Sequence, residues 1–177
     1  VKFLTLSEKE IKSTLYNRIL DKHIVISITS EDSMETVIPP NNNRLSVLHM
    51  KFDDVSDIDE RFLYFTRAQA VEILEFVEKF VNQVSLIVVQ CQAGLSRSVA
   101  VASALSKIIN YVDDGIYTKG IPNMFVYTTI LDTFFSNPNW IGEFSKISYR
   151  RNQAMSQYLS PATVRLNAVK ERKRLDV

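Results

Sequence analysis

Apolar positions along this chain follow two rhythms. Short continuous runs at 23–29, 45–52 and 84–89 predict strands, and the last of these is apolar enough for the middle of a sheet covered on both faces. Between and after them, apolar residues recur three and four positions apart. Ser7-Glu8-Lys9-Glu10 has the form of a capping box, and Ile11, Leu15, Ile19 and Leu20 continue it as one helix. Thr66-Arg67-Ala68-Gln69 is a second such box, followed by the stripe Ala70, Ile73, Leu74, Val77, Phe80 and Val81. A small-residue helix is expected over 99–111, and Asn123 opens another that runs through Phe134. Turn chemistry makes 30–43 and 115–122 loops, and the acidic stretch 53–60 breaks any regular pattern. Pro138 and Gly142 punctuate the next region, with a helix over part of 144–159 and another from Pro161. This order predicts an α/β fold, a central, mostly parallel sheet flanked by helices with its functional loop at a strand's carboxyl end. The chain has no internal repeat or linker. It reads as one domain over 1–177, ending in a basic helical segment at about 150–177.

Composition narrows this picture. At 177 residues and 46% hydrophobic, the chain can bury one substantial core. No apolar run nears the roughly 20 residues of a membrane helix, and the apolar part of 1–7 is too short for a signal peptide and turns polar at once, so none is expected there. No membrane role is therefore expected. One cysteine excludes an internal disulfide framework and a multi-cysteine metal site, and a reactive thiol points to the reducing cytoplasm. The net charge of +1 hides an asymmetry. Residues 150–177 hold seven basic and two acidic side chains, a balance of +5, so residues 1–149 carry −4. That segment is either a solvated helix end or a surface for an anionic partner such as nucleic acid.

The chemistry concentrates around the single cysteine. Cys91-Gln92-Ala93-Gly94-Leu95-Ser96-Arg97-Ser98 sits where a strand hands over to a helix. A loop there turns backbone N–H groups inward and ends at the positive pole of the helix, which suits a phosphoryl dianion. The thiolate is the nucleophilic form of cysteine, and the amide nest, the helix terminus and Arg97 all favour it. Gly94 lets the backbone curl tightly. Arg97 offers a planar fork for two phosphoryl oxygens, and Ser98 is placed to hydrogen-bond the sulfur. The bland alternative, a buried cysteine beside an incidental arginine, leaves the combined spacing unexplained.

These eight residues resemble the phosphate-binding signature of the cysteine-based protein tyrosine phosphatases, particularly the small dual-specificity type. The similarity takes in the strand at 45–52, the Asp53-Asp54 pair and the helix before the loop, roughly residues 23–135. It implies a protein tyrosine phosphatase-like fold and a two-step reaction through a phosphocysteine on Cys91, with no metal and no organic cofactor. It implies that Gln92, Ala93, Gly94, Leu95, Ser96 and Arg97 bind the phosphate, and that the partner is a phosphorylated protein. The resemblance places a general acid on the loop after the strand at 48–52. Asp54 is the first candidate and Asp53 the alternative, with Asp57 and Asp59 kept open. One position departs from the family: Gln90 stands where a histidine usually precedes the cysteine, so loop support falls to an uncharged amide.

Other residues fit structural roles. His23 and His49 match no triad or metal pair, and Tyr111, Tyr117, Phe125 and Tyr127 are either packing or an aromatic rim. Asn123 is either a helix cap or a support for the Cys91 loop. Two rival functions remain, a nucleic-acid 5′-phosphatase served by the basic segment and a non-catalytic phosphate-binding module in which Gln90 marks lost chemistry. Arsenate reduction generally needs further thiols, and sulfurtransferase loops are usually shorter.

Overall fold

A computed structural model describes residues 1–56, 61–112 and 115–146. Four strands, β1 (Lys2–Ser7), β2 (His23–Thr29), β3 (Arg44–Lys51) and β4 (Leu86–Cys91), form one sheet in the order β1-β4-β2-β3. Every pairing is parallel. All carboxyl ends therefore meet on one edge, where Ser7, Ser30, Phe52 and Cys91 converge.

Side-chain alternation divides the sheet into two faces. Ile24, Ile26, Ile28, Ile87, Val89 and Cys91 belong to the larger core, shared with α3 (Arg67–Phe80), α4 (Arg97–Asn110) and α5 (Met124–Phe135). Val25, Leu86 and Val88 face the other way, onto Leu6, Ile11 and Tyr16. Both expected capping boxes are present: Ser7 accepts from the amide of Glu10, and Thr66 from that of Gln69. The α3 stripe buries Ala70, Ile73, Leu74 and Val77 as its spacing requires. Asn123 caps α5 by accepting from the Val126 amide.

Several local readings need correction. The single helix expected after Ser7 is two single turns, α1 (Glu8–Ile11) and α2 (Thr14–Asn17). Ser13 divides them, because its hydroxyl accepts from the Leu15 amide and restarts the helix. Residues 2–7, where the apolar pattern predicts no element, form strand β1 beside β4. The strand placed at 84–89 lies later and runs to Cys91, because the polar Gln90 finds a buried partner in Ser27. Pro138 and Gly142 do not interrupt structure: a helix, α6, spans 138–146. Proline is tolerated in a first turn, and Asn137 accepts there from the Asn139 amide. The rest of 144–159, the helix from Pro161 and the basic segment lie outside the described residues.

Candidate active site

The loop from Cys91 to Ser98 is held from outside. The Gln92 carbonyl accepts from the Glu8 amide at 3.1 Å and the Leu95 carbonyl from the Ile121 amide at 3.0 Å. Those bonds turn two carbonyls away from the loop centre. Gly94 adopts φ +74°, and a Cβ there would stand 2.6 Å from the Ser7 nitrogen, so no other residue fits without moving β1. Gly120 permits an equally close pass, since its Cβ would meet the Leu95 carbonyl oxygen at 2.2 Å. Among the described residues, no protein acceptor takes the amides of Ala93, Leu95 or Ser96. They are donors free for a ligand.

Cys91 ends β4 and is almost fully buried. Its Sγ accepts from the Gly94 amide at 3.3 Å and lies 3.2 Å from Ser98 Oγ. With the sulfur ionised, the Ser98 hydroxyl donates to it. Both contacts stabilise negative charge on sulfur and would ease its departure as a leaving group.

Arg97, in the first turn of α4, is 3% exposed. Its Nη1 donates to the Phe52 carbonyl at 2.8 Å and to Ser30 Oγ at 3.0 Å. These anchors come from the carboxyl ends of β3 and β2. The buried Nε–H has no partner, and no described residue accepts from Nη2. The whole Nε–Nη2 edge of a buried cation is thus unpaired, although a buried charge lacking a counter-ion costs several kcal/mol. That edge matches two oxygens of a tetrahedral anion.

The neighbouring carboxylates differ sharply. Asp54 is exposed, and its Oδ1 accepts from Ser96 Oγ of the loop at 2.8 Å and from Asn123 Nδ2 at 2.9 Å. Asp53 instead ties backbone together, Oδ1 accepting from the Glu31 amide and Oδ2 from the Leu63 amide at 3.0 Å. Geometry therefore brings Asp54 to the loop and leaves Asp53 in a structural tether. Asp57 and Asp59 lie outside the described residues.

Gln90 is fully buried behind the loop, its Oε1 accepting from Ser27 Oγ at 2.8 Å while its Nε2 has no partner. His23 sits in a buried pair. Its Nδ1–H donates to the Asp21 carbonyl at 2.8 Å, and Nε2 accepts from Tyr16 at 3.1 Å. Burial lowers its pKa below the ordinary imidazole value. The aromatic rim does not form as a unit. Tyr111 caps the far end of α4, about 20 Å along the helix from Arg97. Tyr127 and Phe125 pack on the core, and Tyr117 stacks edge-on against Tyr127. The apolar side chains exposed on or beside the loop are instead Leu95, Ile121 and Met124.

Sequence reasoning missed Ser30 and the Phe52 carbonyl as anchors of Arg97, and Ser27 behind Gln90. For Ser30 a signal existed, because it directly follows a strand whose carboxyl end had to face the same edge as Cys91.

No protein-family model matches the sequence, and no curated protein does. Solved structures do match. DUSP15 aligns at 14% identity over 81% of this chain and 90% of its own, with a TM-score of 0.57. Human DUSP28 aligns at 14% identity over 76% and 88%, with a TM-score of 0.52. The chain shares the fold of these two structures, an α/β architecture with a parallel sheet flanked by helices, in keeping with the fold that the resemblance implied. Among the described residues, no helix is long and apolar enough to cross a membrane.

Proposed function

We propose that this protein is a cysteine-dependent phosphatase that removes phosphate from phosphotyrosine on protein substrates, with activity on phosphoserine and phosphothreonine as well being the broader form of the same reading. The observation that carries the reading is the unpaired Nε–Nη2 edge of buried Arg97, six residues after a cysteine held by an amide and a hydroxyl. A dianionic phosphoryl group would satisfy that edge and the free amides of Ala93, Leu95 and Ser96.

In the first step the Cys91 thiolate attacks phosphorus. A P–S bond forms, the P–O bond to the leaving group breaks, and Asp54 gives its proton to the departing oxygen. In the second, water attacks the phosphocysteine, Asp54 takes the water's proton, and sulfur leaves as thiolate supported by Ser98 and the Gly94 amide. Gln90, next to Cys91 in β4, bonds Ser27 of β2 and contributes no charge.

Hydrolysis of p-nitrophenyl phosphate across pH tests this. Cys91→Ser is expected to remove at least about 10³-fold of the wild-type rate, in line with loss of a covalent nucleophile. Wild-type protein with no Cys91-dependent hydrolysis would leave the phosphate-binding module as the better reading. The second enzyme reading is a nucleic-acid 5′-phosphatase, favoured by the charge of residues 150–177. Deleting residues from Lys170 onward would then weaken RNA-end hydrolysis and spare small aryl phosphates. An unchanged RNA-end rate would argue for the protein substrate.

A further inference from the structure

We propose that Asn123 is the positioning residue for the general acid, and that it assigns the transferred proton to Oδ2 of Asp54; this rests on the phosphatase reading above. Asn123 is 6% exposed and uses its whole amide. Its Oδ1 accepts from the Val126 amide at 3.1 Å, while its Nδ2 donates to Asp54 Oδ1 at 2.9 Å and to the Val55 carbonyl at 2.8 Å. Only this amide orientation serves all three contacts, because a flipped group would turn an acceptor toward two oxygens and a donor toward an N–H. The helix cap and the acid loop are therefore joined through one side chain. A cap alone needs only the oxygen, as serine or aspartate would supply. The two donated bonds exceed what capping requires.

Their effect on Asp54 is specific. Oδ1 has two lone pairs, and the Ser96 hydroxyl and the Asn123 amide take both. Oδ2 accepts from no described residue. A carboxylic acid can keep both donors on its carbonyl oxygen and carry the proton on the other. Protonation at Oδ2 thus leaves the clamp intact, whereas protonation at Oδ1 would break one of its bonds. Asn123 and Ser96 orient the carboxyl between α5 and the phosphate loop, and Oδ2 is the oxygen that meets the leaving group. The bond formed is O–H on the leaving oxygen, the bond broken is O–H at Oδ2, and Asp54 becomes the carboxylate that later receives the water's proton.

Asn123→Asp separates this role from capping. Aspartate caps a helix as well as asparagine does, but it has no N–H and sets a second carboxylate against Asp54. Melting temperature, and kcat for p-nitrophenyl phosphate and phenyl phosphate, are measured for wild type and variant. Phenol is the more basic leaving group and depends more on the acid. The expected result is a folded variant whose phenyl phosphate rate falls at least about tenfold further than its p-nitrophenyl phosphate rate, part of the 10²–10⁴-fold that general acid catalysis supplies. In an Asp54→Asn background the same substitution should leave the ratio of the two rates unchanged. If the charge unfolds the loop, Asn123→Ser keeps the cap oxygen on a side chain too short to reach Asp54, and the same skew is expected. A folded Asn123→Asp or Asn123→Ser with wild-type leaving-group dependence overturns the inference while leaving the phosphatase reading standing. Wild type lacking Cys91-dependent turnover would sink that reading itself.

Discussion

On one face of the sheet, Ile24, Ile26, Ile28, Ile87 and Val89 lie under three helices of 12 to 14 residues. On the other, His23, Ser27 and Gln90 interrupt the apolar series Val25, Leu86 and Val88 beneath two single helical turns. Gln90 and Cys91 are neighbours in β4 and point to opposite faces. The helix-covered face delivers the groups proposed to react, with Cys91 at the strand end and Arg97 and Ser98 in the first turn of α4. The polar face joins β2 to β4 directly behind Cys91, through the Ser27–Gln90 pair. On the proposed reading one side carries the chemistry, and the other buries a polar pair beside it. Substitutions should divide accordingly, into large rate effects and modest stability effects.

Arg97→Lys should break the helix-covered side most severely. Lysine keeps a charge but loses the Nε–Nη2 fork, and kcat for an aryl phosphate should fall about 10²–10³-fold. A variant within a few-fold of wild type would mean that the unpaired edge is not the phosphate clamp. Asp54→Asn should come next, lowering kcat by about 10²-fold or more. Asp53→Asn supplies the contrast, costing about 1 kcal/mol in urea denaturation with little change in kcat, since it weakens two backbone tethers. Reversed effects would exchange the two assignments.

The polar face is sharpened by a pair of substitutions. Ser27→Ala leaves the Gln90 amide with no partner and should cost about 1–3 kcal/mol, whereas Ser27→Ala with Gln90→Met should return close to wild-type stability. A double variant as unstable as the single one would show that polarity itself is required there.

The smallest effect concerns acid. Burial holds His23 below its unfolded value of about 6.5. Below that value the unfolded chain binds the proton more readily, so the contribution of His23 is complete above it and lost as pH falls toward the folded value. Urea midpoints should drop between pH 7.5 and 5, and His23→Gln should flatten that slope; an equal slope in both would place the titration elsewhere.

How much of this was legible in the chain depends on sequence distance. Cys91, Gly94, Arg97 and Ser98 fall within eight consecutive residues, so local spacing carried them. The capping boxes at Ser7 and Thr66 were legible for the same reason. The anchors of Arg97 were not, since Ser30 lies 67 positions away and meets it only after parallel pairing brings the strand ends together. Asn123 showed its cap, a contact three residues long, but not its bond to Asp54 across 69 positions. Strand β1 escaped because an edge strand with an exposed Lys2 and a half-buried Thr5 carries a weak apolar signal.

Intact-mass and peptide analysis of Asp54→Asn protein, acid-quenched within one turnover of p-nitrophenyl phosphate, tests the central claim most directly. A good leaving group lets the thiolate be phosphorylated without the acid, and the missing base delays release by water. The account predicts one added phosphoryl group, mapped to Cys91 and absent from Cys91→Ser. Turnover with no covalent adduct, or an adduct on another side chain, would contradict it.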